Sequence, residues 1–570
     1  MPVLGEDKAA PAQAHSWLRS SFHRGSAQLR RLLLRFVQQD DLRSMLLLSG
    51  CIGVGGALVS VAFREAVRAL EYSYTKNPGS LVNAAEGLPW WARILVPTVG
   101  GLVAGAVLAW GRRLGQTRST DYMQAVAAGT GRLSVRASLI KSGSSVISIA
   151  SGSSIGREGS MIQLSALVGS RVGSGLRLSQ PRRRLAVACG AAAGVASAYN
   201  APIGGALFVA EIVLGSIAME SFGPLIVASV VASVTIHSFL GYAPVYQIPQ
   251  LSYGSNWQLG LYAVLGLVLG LLAPAFLEFM RRAEREFDRL GPPGVLRLGI
   301  GGLIVGLLSV WTPGVWGNGY GEVSRILHYD IAGAVLAMLL FTKIIATVAA
   351  VGSGAVGGVF TPTLFVGAAA GALFGELAQT AFGLPTLEPA AYAVVGMGAL
   401  LAATIHAPLT AILMVFEMTQ DYRITLPLML AAVVAHYVAR FYRRAESVYA
   451  RSFDDVRASS QAREATESLA GLIKGEGAVA ASGPAEEGRW VVDGAGFLVG
   501  RWQGGTLVAP GTVLYRDQSF DAALGEFLRT ESSVLPVVTD ELEPRFLGTV
   551  ARQDLLLALQ EHLAAVRSRA

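Results

Sequence analysis

Glu158 is the residue whose type and setting suggest chemistry most directly. It stands in SSIGREGSMIQL, residues 153–164, with Arg157 before it, glycines at 156 and 159, and apolar sequence around it. An ionisable side chain inside a membrane-like stretch is a functional candidate by default. The flanking glycines suggest a helix that begins there. Such a start leaves backbone N–H groups without partners, and they favour an anion without supplying a full charge. A carboxylate is itself an anion. Tethered at such a site, it can hold the donors that a diffusing anion needs, until protonation or competition displaces it. Desolvation favours its neutral form and the helix start favours its charged form. The alternative is a structural ion pair with Arg157.

A second segment has the same design. SGAVGGVFTPT from Ser353 matches SGSSIGREGSM from Ser151, 202 residues apart, and the same offset pairs Lys141 with Lys343. Pro362 suits the first turn of a helix, where its missing N–H costs little, and Ser160 holds the matching place. GAAAGVASAYNAPIGGALFVAEI from Gly190 matches GMGALLAATIHAPLTAILMVFEM from Gly396, which aligns Pro202 with Pro408 and Glu211 with Glu417. Two related halves of about 200 residues follow. Transporter sites commonly lie at such repeat interfaces. Two helix starts facing each other would form a chamber for a small anion. Their partial charges allow exit as well as entry, whereas a resident lysine would hold the anion too firmly.

The elements that must position these residues are membrane helices. The chain has 570 residues, 52% hydrophobic and 15% charged, with a mean hydropathy of +0.48. That is too apolar for a soluble protein of this size. Apolar runs fill residues 44–440, several of them near the ~20 residues that cross a bilayer, others shorter and broken by glycine. Many of the 67 glycines suit close helix packing. The fold expected is an all-α polytopic membrane protein with discontinuous helices.

Arginines cluster at 30, 31, 35 and 43, at 112, 113 and 118, at 182–184, at 281–289 and at 440, 443 and 444. The positive-inside rule turns these loops and both termini toward the cytoplasm. No cleavable signal peptide is expected in the polar, Arg-rich first 40 residues. The net charge of +7 reads as this topology signal. Without a basic stripe carrying aromatics, nucleic acid is not an expected partner. Cys51 and Cys189 read as buried small hydrophobes. His237, His406 and His436 read as packing or hydrogen-bonding residues, and Glu417 as structural. No nucleophile–base or metal constellation stands out in the apolar runs, so neither an enzyme nor a cofactor is expected.

Three zones result: a basic cytoplasmic leader at 1–42, a membrane domain at 43–445 with repeats near 43–240 and 257–445, and a polar domain at 446–570. In the last, VVDGAGFLVG (491–500) and PVVTDELEPRFLG (536–548) each read strand, turn, strand, and SFDAALGEFLRT and ARQDLLLALQEHL read as amphipathic helices. A small α/β domain follows, either regulatory or a platform for assembly.

GREGS, GGVFTP, GAAAGVASAYNAP, HAPLTAILMVFEMTQDY and Tyr449 in AESVYARSF resemble the CLC family of chloride channels and proton–chloride exchangers, over most of residues 43–450. TDYMQA (120–125), GSLVNAA (79–85) and WGNGYGEV (316–323) look most like its bacterial B-type branch. The resemblance implies a CLC-type inverted repeat with tilted helices, a homodimer with one pore per subunit, chloride as the transported ion, and a bacterial inner membrane. Glu158 falls on the gating glutamate, and Gly156, Arg157 and Gly159 accompany it in the anion-binding motif. The N–H groups of Val359 and Phe360 fall on the central anion site, and Tyr449 on its hydroxyl ligand. The serine ligand segment of the family is not intact, which leaves Thr117 or Ser119 for that role. The family's inner proton glutamate position holds Ile212, which cannot carry a proton. The resemblance therefore implies a passive or weakly coupled chloride pathway, possible as an electrical shunt, with a proton-coupled antiporter as the rival. The polar domain resembles a degenerate pair of CBS modules. Ala551 stands where family members place a hydroxyl three residues before Asp554, which argues against nucleotide binding.

Overall fold

The computed structural model describes residues 42–75, 81–114, 121–383, 388–443, 447–449 and 469–568, apart from short breaks at 128, 243, 247, 249–254, 476–477, 481–486, 517, 519, 531 and 540–543. The chain divides into two compact units, one running to Phe453 and one from Asp454.

The first unit is helical. Its first half contains α1 (Leu42–Thr75), α2 (Leu81–Gly87), α3 (Trp90–Arg113), α4 (Tyr122–Ala127), α5 (Val135–Ala150), α6 (Glu158–Gly175), α7 (Gln180–Tyr199), α8 (Pro202–Phe208, continued by a π-helical turn over Val209–Leu214) and α9 (Met219–Leu240). Its second half contains α10 (Gln258–Leu290), α11 (Gly294–Trp311), α12 (Tyr320–Leu327), α13 (Gly333–Gly352), α14 (Phe360–Phe382), α15 (Pro389–Ile405), α16 (Pro408–Thr419) and α17 (Thr425–Arg443). Among the described residues, eight helices are long and apolar enough to cross a membrane. Leu47, Leu58, Val335, Phe341 and Leu426 lie exposed on them, as lipid-facing residues should. Cys189 is buried, but Cys51 lies on the exposed face of α1. In an apolar helix hydropathy does not distinguish a lipid-facing position from a packed one, so the expectation of two buried cysteines fails at Cys51.

The repeat is geometric as well as sequential. Asn200 and His406, 206 residues apart, both take left-handed backbone at the ends of α7 and α15, with φ of 52° and 59°. The next residues, Ala201 and Ala407, have φ,ψ of −128°,82° and −130°,81°, and Pro202 and Pro408 then start α8 and α16. The halves meet where Gly156 and Gly358 form an antiparallel bridge. Each N–H donates to the other's carbonyl, at 2.7 Å from Gly156 and 2.8 Å from Gly358. Equivalent residues exchanging equivalent bonds in antiparallel array is the relation expected of an inverted repeat about a local two-fold axis.

The two inner helices carry this arrangement. Every residue of α15 is buried, as is α7 from Ala186 to Tyr199. Small residues let them touch their neighbours' backbones. A Cβ at Gly190 would lie 2.3 Å from the Ser165 carbonyl of α6, and one at Gly396 would lie 2.3 Å from the Gly367 carbonyl of α14. Glycine at these crossings lets the two helix pairs that hold the site approach at backbone distance.

The second unit has a four-stranded sheet of β1 (Val479–Ala480), β2 (Trp490–Val492), β3 (Leu498–Gln503) and β4 (Thr506–Val508), and a three-stranded sheet of β5 (Leu514–Tyr515), β6 (Val534–Val538) and β7 (Phe546–Ala551). The pairs β2–β3 and β6–β7 are antiparallel, as the strand–turn–strand pattern requires. Helices α18 (Phe520–Arg529) and α19 (Arg552–Ser568) follow β5 and β7. Phe520, Phe527, Leu535, Val537, Val550 and Leu555 form its core.

Candidate anion site

Helices α6 and α14 begin at equivalent places, at Glu158 and Phe360, with Arg157 and Val359 as their N-caps. The Glu158 side chain, 3% exposed, reaches to the start of α14. Its carboxylate accepts the Thr361 N–H at 3.1 Å and the Thr361 hydroxyl at 3.2 Å. The carboxylate thus occupies a helix N-terminus, where N–H groups and the helix dipole favour negative charge. Its space is carved by the two bridging glycines. A Cβ at Gly156 would lie 2.0 Å from one carboxylate oxygen, and a Cβ at Gly358 would lie 2.3 Å from the other.

This geometry corrects the expected role of Gly156. Its N–H is committed to Gly358, so the residue supplies backbone pairing and room rather than an anion donor. Gly159 stands against the other strand of the same crossing, where a Cβ would meet the Gly358 nitrogen at 3.2 Å. Arg157 is also redirected. Its guanidinium lies over the Tyr320 ring, 5.1 Å from the centroid, and it has no carboxylate within ion-pair distance among the described residues. The structural Arg157–Glu158 pair is therefore not formed.

The N–H groups of Val359 and Phe360 have no protein acceptor among the described residues, which leaves them as open donors at the head of α14. An aromatic row borders this point. Phe360 packs on Tyr199 at 4.7 Å between centroids and on Phe208 at 6.4 Å, and Phe208 meets Tyr449 edge-on at 5.7 Å. Tyr449 reaches the row because its segment is tied to the end of α15. The Val448 N–H donates to the Thr404 carbonyl at 3.1 Å, and the Ser447 hydroxyl to that of Ile405 at 3.1 Å. Thr117 and Ser119 lie outside the described residues.

Thr361 was not singled out by sequence reasoning, although it sits in GGVFTP between two residues that were. A hydroxyl in the first turn of a helix is a local signal for anion contact, but its target 203 residues away is not visible in sequence. Tyr199 is a second such residue. Its hydroxyl lies 3.5 Å from the Thr361 hydroxyl, which extends the polar chain from Glu158.

The two repeated glutamates cap each other's half. Glu211 accepts the Thr410 N–H at 2.9 Å and the Thr410 hydroxyl at 2.6 Å, at the start of α16. Glu417 accepts the N–H groups of Ile203 and Gly204 at 3.0 and 2.7 Å, at the start of α8. Both are committed to helix starts, in keeping with structural roles. Ile212 packs on the core from the π-helical turn. Lys343, fully buried, donates to the carbonyls of Val315 and Gly317 at 3.0 and 2.8 Å.

Residues 99–440 match the family model described as voltage gated chloride channel. A "Putative chloride channel protein ClcB-like" of Ralstonia nicotianae is 50% identical over 413 residues, covering 72% of this chain and 96% of the relative. The chain belongs to the CLC family. It falls on the bacterial ClcB branch, as TDYMQA, GSLVNAA and WGNGYGEV suggest. A solved "slow cyanobacterial Cl-/H+ antiporter" matches with a TM-score of 0.64 at 25% identity, over 73% of this chain and 99% of that one. A "eukaryotic CLC transporter" matches in fold, with a TM-score of 0.61 at 18% identity over 92% of this chain. The CLC fold accounts for the inverted repeat and the broken helices, and the small α/β unit follows the membrane unit in the chain.

Proposed function

We propose that this protein conducts chloride across a bacterial inner membrane, along a route that Glu158 gates. The observation that carries the reading is the seat of the Glu158 carboxylate on Thr361, in space left by Gly156 and Gly358. A carboxylate held by a helix start and a hydroxyl stands in for a small anion. Chloride competes for the same donors, and the open N–H groups of Val359 and Phe360, beside Tyr449, offer the next station. Protonation weakens the seat, because hydrogen bonds to a charged acceptor are roughly twice as strong as neutral ones. The neutral side chain then leaves and an anion enters.

Passive or weakly coupled movement is the favoured mode. The inner proton position is Ile212, and Glu211 beside it is engaged with Thr410. Such a pathway suits an electrical shunt that dissipates charge built up by a proton-moving process. The protein acts as a homodimer with both termini in the cytoplasm, consistent with the arginine-rich loops. The α/β unit regulates or assembles the transporter, and two features argue against nucleotide binding: Asp554 is paired with Lys474 at 2.8 Å, and Ala551 offers no hydroxyl.

A proton–chloride antiporter is the second reading, favoured by the likeness to the cyanobacterial structure. Proteoliposome flux with simultaneous pH recording separates the two. Chloride flux with little proton counterflow, and a reversal potential set by chloride alone, is expected. A fixed, substantial counterflow with a pH-shifted reversal potential would replace the first reading by the second.

A further inference from the structure

A cavity of about 430 Å³ reaches Arg157, the residue before Glu158. It is lined by Arg64 and Glu71 of α1, Arg157 at the head of α6, His237 of α9, and Asn318 and Tyr320 at the start of α12. Arg157 is the chain neighbour of Glu158. Ala198, also in the lining, is the neighbour of Tyr199, whose hydroxyl approaches Thr361. Arg64 and Glu71 lie toward the Thr75 end of α1, away from Arg43 and the basic leader.

Two half-buried guanidiniums face this space, and among the described residues neither has a carboxylate within 4.0 Å. Arg157 is steadied by the Tyr320 ring, yet its Nε is buried without a hydrogen-bond partner. A buried arginine donor without an acceptor is costly. Glu71 is one carboxylate against two guanidiniums. His237 has its Nε2 on the Asn200 side-chain oxygen at 2.6 Å, so that nitrogen is a donor already engaged. The lining carries net positive charge, with unused donors and room for a small ligand.

We propose that this cavity is a second anion-binding site, in which Arg64 and Arg157 together hold a halide or nitrate before it reaches the Glu158 seat. The proposal rests on the anion-transport reading and adds to it a residue, Arg64, that no motif marks. Guanidinium forks bind anions through several charge-assisted donors. A site shared by two of them concentrates the competitor beside the carboxylate it must displace.

Crystals grown with bromide in place of chloride test this by anomalous scattering. A bromide peak between the two guanidiniums is expected in the wild-type protein and is expected to vanish in Arg64→Gln. A Glu158→Gln protein, in which the carboxylate no longer competes, serves as the control and should carry bromide at the seat on Thr361. If that control holds bromide while the cavity is empty in the wild type, the second site is refuted and the transport reading stands. Bromide in neither place would count against both. In proteoliposomes, Arg64→Gln should raise the chloride concentration for half-maximal flux about tenfold, and Arg64→Lys, which keeps the charge but loses the fork, by less. An unchanged half-saturation in folded Arg64→Gln would also overturn the proposal.

Discussion

Thr361→Val removes the hydroxyl that holds the Glu158 carboxylate and leaves the side chain's shape nearly unchanged. The hydroxyl donates at 3.2 Å and the backbone N–H at 3.1 Å, and the substitution spares the N–H. Hydrogen bonds to charged groups contribute ~1.5–3 kcal/mol. At 3.2 Å the bond is longer than the common O–H···O distance, so the lower end, about 1.5 kcal/mol, is appropriate. That is a little over tenfold in the balance between seated and displaced carboxylate, or about one pH unit. The lost bond favoured the ionised, seated form. Less acid is then needed to open the route, and the pH of half-maximal flux should rise by about one unit. The assay is chloride flux from proteoliposomes across a pH series. Thr361→Ser, which keeps the hydroxyl, should stay close to wild type. In a Glu158→Gln background Thr361→Val should leave no pH dependence to shift, which isolates the coupling of the two residues. A midpoint that stays fixed or falls in folded Thr361→Val protein would refute the assignment of the hydroxyl to the seat.

Glu158→Ala should give larger flux with little dependence on pH, and a mutant that stays gated like wild type would remove Glu158 as the plug. Gly358→Ala places a methyl 2.3 Å from a carboxylate oxygen, so it should expel the side chain and mimic part of that phenotype; wild-type pH dependence in the same flux assay would contradict this. Glu211→Gln and Glu417→Gln each weaken the cap on the other half's helix. Thermal unfolding in detergent should show each costing ~1–2 kcal/mol, and loss of proton movement without loss of stability in Glu211→Gln would assign that residue to a proton path instead.

Much of this protein was legible in its sequence because the repeat is written in residue types. The glycines, Pro202 with Pro408, and Glu211 with Glu417 recur at fixed offsets, since each half needs the same helix breaks and the same caps. The membrane class followed from apolar runs, whose length is dictated by the bilayer. The candidate site was legible as two helix starts and one carboxylate, because unpaired N–H groups follow from any helix start. Three things depended on the tertiary structure. Bonding between Gly156 and Gly358 decided that these N–H groups serve each other and that their missing side chains make room for the carboxylate. Residue order alone does not say which backbone faces which. The partner of Glu158 proved to be Thr361, set by how α6 and α14 meet across the local two-fold axis. The direction of Arg157, and its company with Arg64 in one cavity, came from the packing of α1, α6, α7 and α12. Apolar helices carry no record in their composition of which face meets which neighbour, so these contacts are settled only when the small residues of α7 and α15 let the halves close on each other.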